Sequence, residues 1–228
     1  MGHHRTGKQD FLIEKIGIFV KQTLLKRKVF NWMLLALLVV VVVAIAVVIV
    51  RENHRKEVKA LYTAGFYKYK EIGNQLDDTN KARAGAAKAE LEKVIEKGYQ
   101  FPEYYLAQFN IGNIYIFLNE PDKAKKYFQA VEEADKDFFV RPKAMLGLAR
   151  IFQNEGNYEE ALKIYERVLN DYQDYNQDFA HYLMGICYEK KGEIDKAVEN
   201  YKKIREDSSY KAEADKSLEI IEKLNQLK

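Results

Sequence analysis

The chain contains an uninterrupted apolar stretch from Trp32 to Val50, most of it leucine, isoleucine and valine. It carries no charge and no strongly hydrogen-bonding side chain. A helix rises about 1.5 Å per residue, so this stretch would be about 28 Å long, close to the hydrocarbon thickness of a bilayer. An isolated segment in lipid must satisfy its own backbone polar groups, which a helix does. The stretch therefore predicts a transmembrane helix at residues 32–50.

A buried core helix and a cleaved signal peptide are the alternatives to a retained anchor. A signal peptide has an apolar region of about 7–15 residues, followed by small residues at a cleavage site. Here the run is longer, and Arg51 and Glu52 follow it directly. The single cysteine, Cys187, lies far downstream, so no lipid-acceptor cysteine follows the run. We expect a single-pass anchor that is retained and contacts membrane lipid.

Residues 1–31 form a short basic tail with seven basic and two acidic residues. Close to the ends of the span the basic residues nearly balance, with five in the twenty residues before it and six in the twenty after it. The charge rule applies to short flanks, whereas long domains translocate largely regardless of charge. The tail, with Lys26, Arg27 and Lys28 adjacent, therefore favours a cytoplasmic amino terminus and a large domain on the other side.

Within the tail, Phe11 to Leu25 carries apolar residues at helical spacing. This spacing predicts an amphipathic helix lying on the anionic inner leaflet. A surface for a cytoplasmic or membrane partner is the alternative.

Residues 51–103 form a membrane-proximal segment with helical periodicity. Apolar residues recur at intervals of three and four and predict a helix to about Gln75, which can be continuous with the membrane helix. The polar run from Asp77 to Asn80 predicts a turn that caps a second helix over Lys81–Lys97, and Gly98 ends that helix.

Residues 104–228 carry an internal repeat. The positions Gly112, Tyr115, Ala124, Phe128 and Val131 are separated by steps of three, nine, four and three. The same steps recur in two further sets: Ala149, Phe152, Ala161, Tyr165, Val168, and Gly185, Tyr188, Ala197, Tyr201, Ile204. Glu120 with Pro121, Gly156 and Gly192 mark a turn inside each unit. Each unit therefore predicts a helix hairpin in which the alanine faces the small residue, and such units stack because none buries its apolar face alone.

This pattern resembles the tetratricopeptide repeat in three copies. The characteristic tryptophan of the first helix is missing, since Gln108, Met145 and His181 stand in its place. The helix with Ala87, Leu91 and Val94 matches the second half of a fourth, degenerate copy, and residues from about Tyr210 to Leu227 predict a capping helix. The resemblance implies an all-α fold class: an α-solenoid of helix hairpins after the transmembrane helix.

No catalytic motif accompanies the repeats. The sequence contains no Gly-rich phosphate loop, no His-Glu-x-x-His run and no nucleophile elbow. One cysteine excludes a disulfide framework and a cysteine-rich metal site, and a net charge of +3 gives no case for nucleic acid. We expect a protein that is not an enzyme, with no cofactor, no metal and no catalytic residues, and we read His181 as a packing or groove residue.

By the resemblance, the first helix of each hairpin lines a concave groove that holds peptides or partner helices. The groove candidates are Phe109, Asn113, Ile116, Phe117, Lys143, Arg150, Gln153, Asn154, Phe179, Tyr182, Ile186 and Glu189. Of the residues that clamp a chaperone's terminal carboxylate in this family, only Asn113 is present. The candidates are aromatic and apolar around a basic patch at Lys143 and Arg150, which suits an apolar peptide. Coverage of some aromatics by the capping helix is an equal alternative.

The order of tail, span, membrane-proximal helix and repeats resembles the bacterial family of ancillary SecYEG translocon subunits with a periplasmic, chaperone-like repeat domain. That resemblance implies an inner-membrane protein whose partners are the translocon, periplasmic chaperones or unfolded clients. One alternative is a tethered scaffold for division, cell-wall or outer-membrane assembly. The other is a regulatory partner whose domain faces the cytoplasm. The sequence leaves the oligomeric state open.

Overall fold

The computed structural model describes residues 7–24 and 27–226, and it contains no strand within those ranges. The helices there are α1 (Gly7–Leu24), α2 (Arg27–Lys70), α3 (Asp78–Glu96), α4 (Pro102–Phe117), α5 (Pro121–Glu132), α6 (Arg141–Asn154), α7 (Tyr158–Asp171), α8 (Gln177–Lys191), α9 (Ile194–Lys202) and α10 (Lys211–Gln226). They fall into two compact units, one up to Lys56 and one from Glu57 onward, and both include part of α2. The predicted all-helical class is confirmed.

In the first unit, α1 begins earlier than the predicted start at Phe11. Lys26 and Leu25 lie outside the described residues, as do residues 1–6. Besides the predicted apolar stripe through Leu12 and Ile16, α1 exposes Phe11 and Ile18, which at about 100° per residue lie on the opposite side. The helix is therefore less one-sided than its spacing predicted.

The apolar stretch of residues 32–50 lies within α2. In the described part of the chain, α2 is the one helix long and apolar enough to cross a bilayer. The large apolar side chains between Trp32 and Val50 are all exposed, from 45 % to 71 %. The predicted continuity with the following helix is observed, because α2 runs on to Lys70.

The predicted end of this helix at Gln75 is wrong, because α2 ends at Lys70 and the chain then turns around Asn80. The Asn80 side chain is buried; its Oδ1 accepts from the Gly73 N–H at 2.9 Å and its Nδ2 donates to the Gln75 carbonyl at 3.0 Å. Asp77 caps α3 by accepting from the Asn80 N–H at 2.7 Å, as the turn cluster predicted. These bonds bring α3 back against α2.

In the second unit, three hairpins form where the repeat predicted them: α4 with α5, α6 with α7, and α8 with α9. Each turn contains one residue of positive φ: Asn119 at 59°, Gly156 at 78° and Gly192 at 77°. Sequence analysis named Glu120 and Pro121 for the first turn, but Asn119 takes the left-handed conformation there. Asparagine tolerates that conformation better than most residues, which is why it replaces glycine.

In the first and last hairpins, the small residue of the first helix lies against the aromatic ring of the second helix. The predicted contact of that small residue with the alanine stays a prediction. A Cβ placed on Gly112 would lie 2.6 Å from Cε1 of Phe128, and one on Gly147 would lie 2.9 Å from Cε2 of the same ring. The Phe128 ring therefore packs between α4 and α6, and its width requires glycine on both sides.

The degenerate fourth pair is formed by the end of α2 and by α3. Gly65 takes the place of the small residue, since a Cβ there would lie 2.8 Å from Cγ of Leu91. Twenty-six positions separate Gly65 from Leu91, against sixteen between Gly112 and Phe128, because the turn around Asn80 is longer. Because of these extra residues, the repeat spacing did not identify this first helix. At the other end, α10 covers the last hairpin, as the capping prediction expected.

Candidate functional site

The groove residues predicted from the sequence lie on α4, α6 and α8, the first helices of the hairpins. The structure divides them into three stretches with different surroundings: the α4 stretch, the α6 stretch and the α8 stretch. Sequence analysis treated them as one surface. Their side-chain contacts decide which of them a ligand can reach.

In the α8 stretch the predicted aromatics are covered. The Tyr210 ring stacks on Phe179, with centroids 4.9 Å apart, and on Tyr182, with centroids 5.7 Å apart. Ile186 packs against the buried cluster that α9 and α10 share, which contains Tyr201. For these residues the covered-core alternative applies.

In the α4 stretch two of the predicted residues, Asn113 and Phe117, line a small cavity. Its other lining comes from the end of α2 and the turn that follows it. The cavity is lined by Tyr69, Lys70, Ile72, Gly73, Asn74, Asn113, Ile114 and Phe117. Burial raises the pKa of Tyr69, and a hydrogen bond from Asn113 opposes that rise. Phe109 does not line the cavity; it is half-buried, 5.9 Å from the Phe128 ring.

The contribution of α2 to this stretch was missed by sequence reasoning. Tyr62 accepts a hydrogen bond from Asn110 Nδ2 at 3.2 Å, and Tyr69 lines the same cavity as Asn113. The signal was present in the periodic tyrosines of residues 61–72. It could not be interpreted without knowing that α2 supplies the first helix of a fourth pair.

The α6 stretch is open. Lys143, Arg150 and Asn154 are exposed, and Ile116 on the neighbouring α4 is 45 % exposed. The Lys143 ammonium lies 6.0 Å from the centroid of the Phe139 ring, which is 63 % exposed. Lys143 and Arg150 are seven residues apart, two turns along one helix face, and no carboxylate in the described ranges forms an ion pair with either. This stretch combines unpaired positive charge with exposed apolar surface.

Gln153 is a packing residue rather than a free groove residue. Its Oε1 accepts a hydrogen bond from the buried Tyr165 hydroxyl at 2.8 Å. The equivalent residues of the last hairpin are Glu189 and Tyr201, and those of the first are Ile116 and Phe128. Burial, and then the Glu189 carboxylate, raises the pKa of Tyr201. The residue twelve positions before the aromatic is therefore polar in the two hairpins that carry a tyrosine and apolar in the hairpin that carries phenylalanine.

His181 lies outside the groove. Its Nδ1 is 3.0 Å from Oδ1 of Asn200 on α9, so it joins the two helices of its hairpin. Among the described residues, no group of three or more His, Cys, Asp or Glu side chains is arranged to hold a metal ion.

The tetratricopeptide repeat family models match residues 105–138 and 141–207 of this chain. No curated protein matches it in sequence. Among solved structures, the MamA protein is 22 % identical with a TM-score of 0.53, over 71 % of this chain and 79 % of its own.

Two structures of nearly identical TPR-like repeats from a Podosopora anserina kinesin light chain protein are also similar. They are 15 % and 16 % identical, with TM-scores of 0.50 and 0.51. They cover 69 % and 74 % of this chain and 82 % and 94 % of their own. At these identities the similarity shows the fold alone. Proteins built from such repeats are generally non-catalytic scaffolds. Residues 105–138 and 141–207 are tetratricopeptide repeats, and the chain carries a protein–protein interaction module of this class.

Proposed function

We propose that this chain is a membrane-anchored tetratricopeptide protein that holds polypeptide segments during protein translocation or envelope protein folding at the bacterial inner membrane. Its groove receives these segments, and its anchor keeps the groove near the membrane where they emerge. The amino terminus faces the cytoplasm and the repeats face the periplasm. The partners are the SecYEG translocon, periplasmic chaperones and unfolded clients.

The open α6 stretch is the observation that carries this proposal. A ligand segment can place an acidic group near Lys143 or Arg150, and apolar side chains near Phe139 and Ile116. Both cations are exposed and neither pairs with a carboxylate of the described residues, so binding needs no prior rupture of an ion pair. A site with one basic face and adjacent apolar surface accepts many sequences, which suits a module that meets different unfolded chains.

The apolar part of α2 supports the membrane context. Exposure of every large side chain between Trp32 and Val50 to water would be unfavourable, at about 25 cal/mol per Å² of apolar surface. A bilayer removes that cost, and the helix is long enough to cross one. The basic tail, counted over residues 1–31, favours its cytoplasmic placement.

Site-specific photo-crosslinking in living bacteria tests the binding proposal. A photo-crosslinking amino acid at Arg150 samples the open stretch, and the same amino acid at Lys163 samples the exposed face of α7 in the same hairpin. We expect adducts with translocon subunits and several exported polypeptides from position 150 and few from position 163. Equal yields at both positions would refute groove binding. A single defined assembly complex at position 150 would replace translocation with the scaffold alternative.

A charge-reversal pair gives an independent measurement. Arg150→Glu removes a cation from the open stretch, whereas Lys163→Glu makes the same change of charge on α7, where Lys163 pairs with Glu160 three residues away at 2.6 Å. We expect Arg150→Glu to reduce recovery of the crosslinked clients and Lys163→Glu to leave it unchanged. A reporter fused at Lys228 checks the periplasmic placement, and extraction at alkaline pH checks the anchor. A cytoplasmic reporter signal would overturn the orientation.

A further inference from the structure

We infer that the α8 stretch is a second part of the binding groove, which α10 occupies until an amphipathic helix of a partner protein replaces it. This inference rests on the proposed function, because it concerns what the same groove binds.

Tyr210 and α10 pack against residues of α8 that were predicted to line the groove. Phe179, Tyr182 and Ile186 occupy groove positions on α8, and the Tyr210 ring stacks on the first two of them. Ala214 and Ile221 of α10 are buried in the cluster against which Tyr182 and Ile186 pack. The stretch is therefore a surface that already accommodates a helix.

The ion pairs of α10 do not fix it to the last hairpin. Some of the other repeat helices are joined to their neighbours by ion pairs: Lys125 of α5 pairs with Glu155 at the end of α6 at 2.8 Å, and Lys191 of α8 pairs with Glu159 of α7 at 3.0 Å. The ion pairs of α10 are local: Lys211 pairs with Glu206 at 2.9 Å and with Asp215 at 3.0 Å. None of the ion pairs found in the described part of the chain connects α10 to α8 or α9.

Only a small part of α10 is buried. Ala214 and Ile221 are its buried residues, while Ile220 and Leu224 remain 50 % and 55 % exposed. Apolar contact is non-directional, so another helix with a similar apolar stripe can make the same contacts. Elements with few buried apolar contacts open at lower free energy than the core of a protein. The contacts that hold α10 are thus the ones most easily reproduced by a partner.

The pattern on α10 defines the partner. Its contacts come from Tyr210, Ala214, Leu218 and Ile221, which follow one another by four, four and three positions. A partner segment with an aromatic residue, a small residue four positions later and aliphatic residues eight and eleven positions later would present the same stripe. It would bury its aromatic ring on Phe179 and Tyr182. Release of α10 would join the α8 stretch to the open α6 stretch.

The test uses the full chain in detergent micelles and a fluorescent peptide with the sequence of residues 207–226. In the wild type, tethered α10 competes at an effective concentration in the millimolar range, so the peptide binds weakly. Tyr210→Ala removes two ring contacts from the tethered copy and leaves them in the peptide. We expect it to tighten peptide binding about tenfold, measured by fluorescence anisotropy.

Tyr67→Ala is the matched control, because Tyr67 on α2 is 65 % exposed and lies far from α10 in sequence. It should leave peptide binding at the wild-type level. A peptide that itself carries Tyr210→Ala should bind the Tyr210→Ala chain about tenfold more weakly than the unmodified peptide does. Equal binding of the unmodified peptide to the wild type and to Tyr210→Ala would overturn the inference.

Hydrogen exchange on the wild-type chain provides a second measurement that needs no variant. We expect the amides of α10 to exchange faster than those of α8 and α9. When the labelled peptide displaces α10, the amides of α8 should stay protected from exchange. Equal protection of α10, α8 and α9 would also overturn the inference. Crosslinking from position 150 does not depend on α10, so it can succeed even if α10 is not displaced. A failure of this inference can therefore be distinguished from a failure of the proposed function.

Discussion

The Tyr210 ring stacks on the Phe179 ring with centroids 4.9 Å apart and planes 27° apart. The two residues come from different parts of the fold: Phe179 lies in the first turn of α8, and Tyr210 directly precedes α10. Their contact closes one end of a groove that the repeat spacing alone would leave open. It therefore determines which of the predicted groove residues a ligand can reach.

A double-mutant cycle measures this contact. We expect Phe179→Ala and Tyr210→Ala each to reduce the free energy of unfolding, and the double variant to lose less than the sum. Stacked aromatic pairs contribute about 0.5–1.5 kcal/mol beyond the area they bury, so the coupling should fall in that range. Urea unfolding of the full chain in a mild detergent, followed by circular dichroism, gives the four values. Strict additivity would show that the rings do not stabilise each other.

Gly185→Ala should destabilise the last hairpin. A Cβ at this position would lie 2.3 Å from Cε1 and 2.6 Å from Cζ of Tyr201, which is fully buried. Overpacking of this kind typically costs about 1–3 kcal/mol because the ring and its helix must shift. The measurement is the midpoint of urea unfolding in the same detergent.

The control for this prediction is Gly85→Ala. Gly85 lies inside α3, is exposed, and a Cβ there meets nothing within 4 Å. Alanine has the higher helix propensity, so this substitution should stabilise the protein by about 0.5–1 kcal/mol. The same substitution at two glycines inside helices should thus change the free energy of unfolding in opposite directions. Equal effects would contradict the close approach of α8 to Tyr201.

Asp178→Asn should destabilise the protein at neutral pH. Asp178 is buried; its Oδ2 accepts from Arg205 Nη2 at 2.8 Å and Nε at 3.0 Å, and its Oδ1 accepts from the Arg205 N–H at 3.1 Å. Burial raises the pKa of Asp178, but the hydrogen bonds from Arg205 outweigh it, and the net pKa is lowered. Weakening these charge-assisted bonds should cost about 1–3 kcal/mol.

The pH dependence of this effect follows from the lowered pKa. A carboxylate whose pKa is lower in the folded state stabilises it above the unfolded-state value, which is about 3.9 for aspartate. That stability is lost as the pH falls through the depressed folded-state pKa. The difference in the free energy of unfolding between wild type and Asp178→Asn should therefore be largest at neutral pH and decrease in strong acid. Urea unfolding across the pH range measures it. A difference that stays constant down to strong acid would rule out the Asp178–Arg205 contact as its cause.

Cys187 should resist thiol reagents while the protein is folded. The residue is fully buried, and burial raises the pKa of its thiol to about 12. The thiolate is the reactive form, so at pH 8 labelling should be more than about a thousandfold slower than in the urea-unfolded chain. Mass spectrometry of the full chain after maleimide treatment measures the rate. Rapid labelling without urea would show that the core around α8 opens readily.

The repeat itself could be read from the sequence because it depends on local periodicity. Gly112, Tyr115 and Ala124, with their equivalents in two further units, specified three hairpins, and residues 32–50 specified one long apolar helix. Both signals come from residues close together in the chain. The turn glycines Gly156 and Gly192 were found for the same reason, because positive φ is a local requirement that glycine meets most easily.

The tertiary structure alone decided which groove residues are accessible. Tyr210 covers Phe179, which is thirty-one positions earlier in the sequence, and Tyr69 lies beside Asn113, which is forty-four positions later. No helical period specifies contacts at such separations. The first helix of the fourth pair also stayed hidden, because the turn around Asn80 lengthens the spacing that would have revealed it. Periodicity states which side of a helix is apolar, but the partner that covers that side is fixed only when distant helices pack.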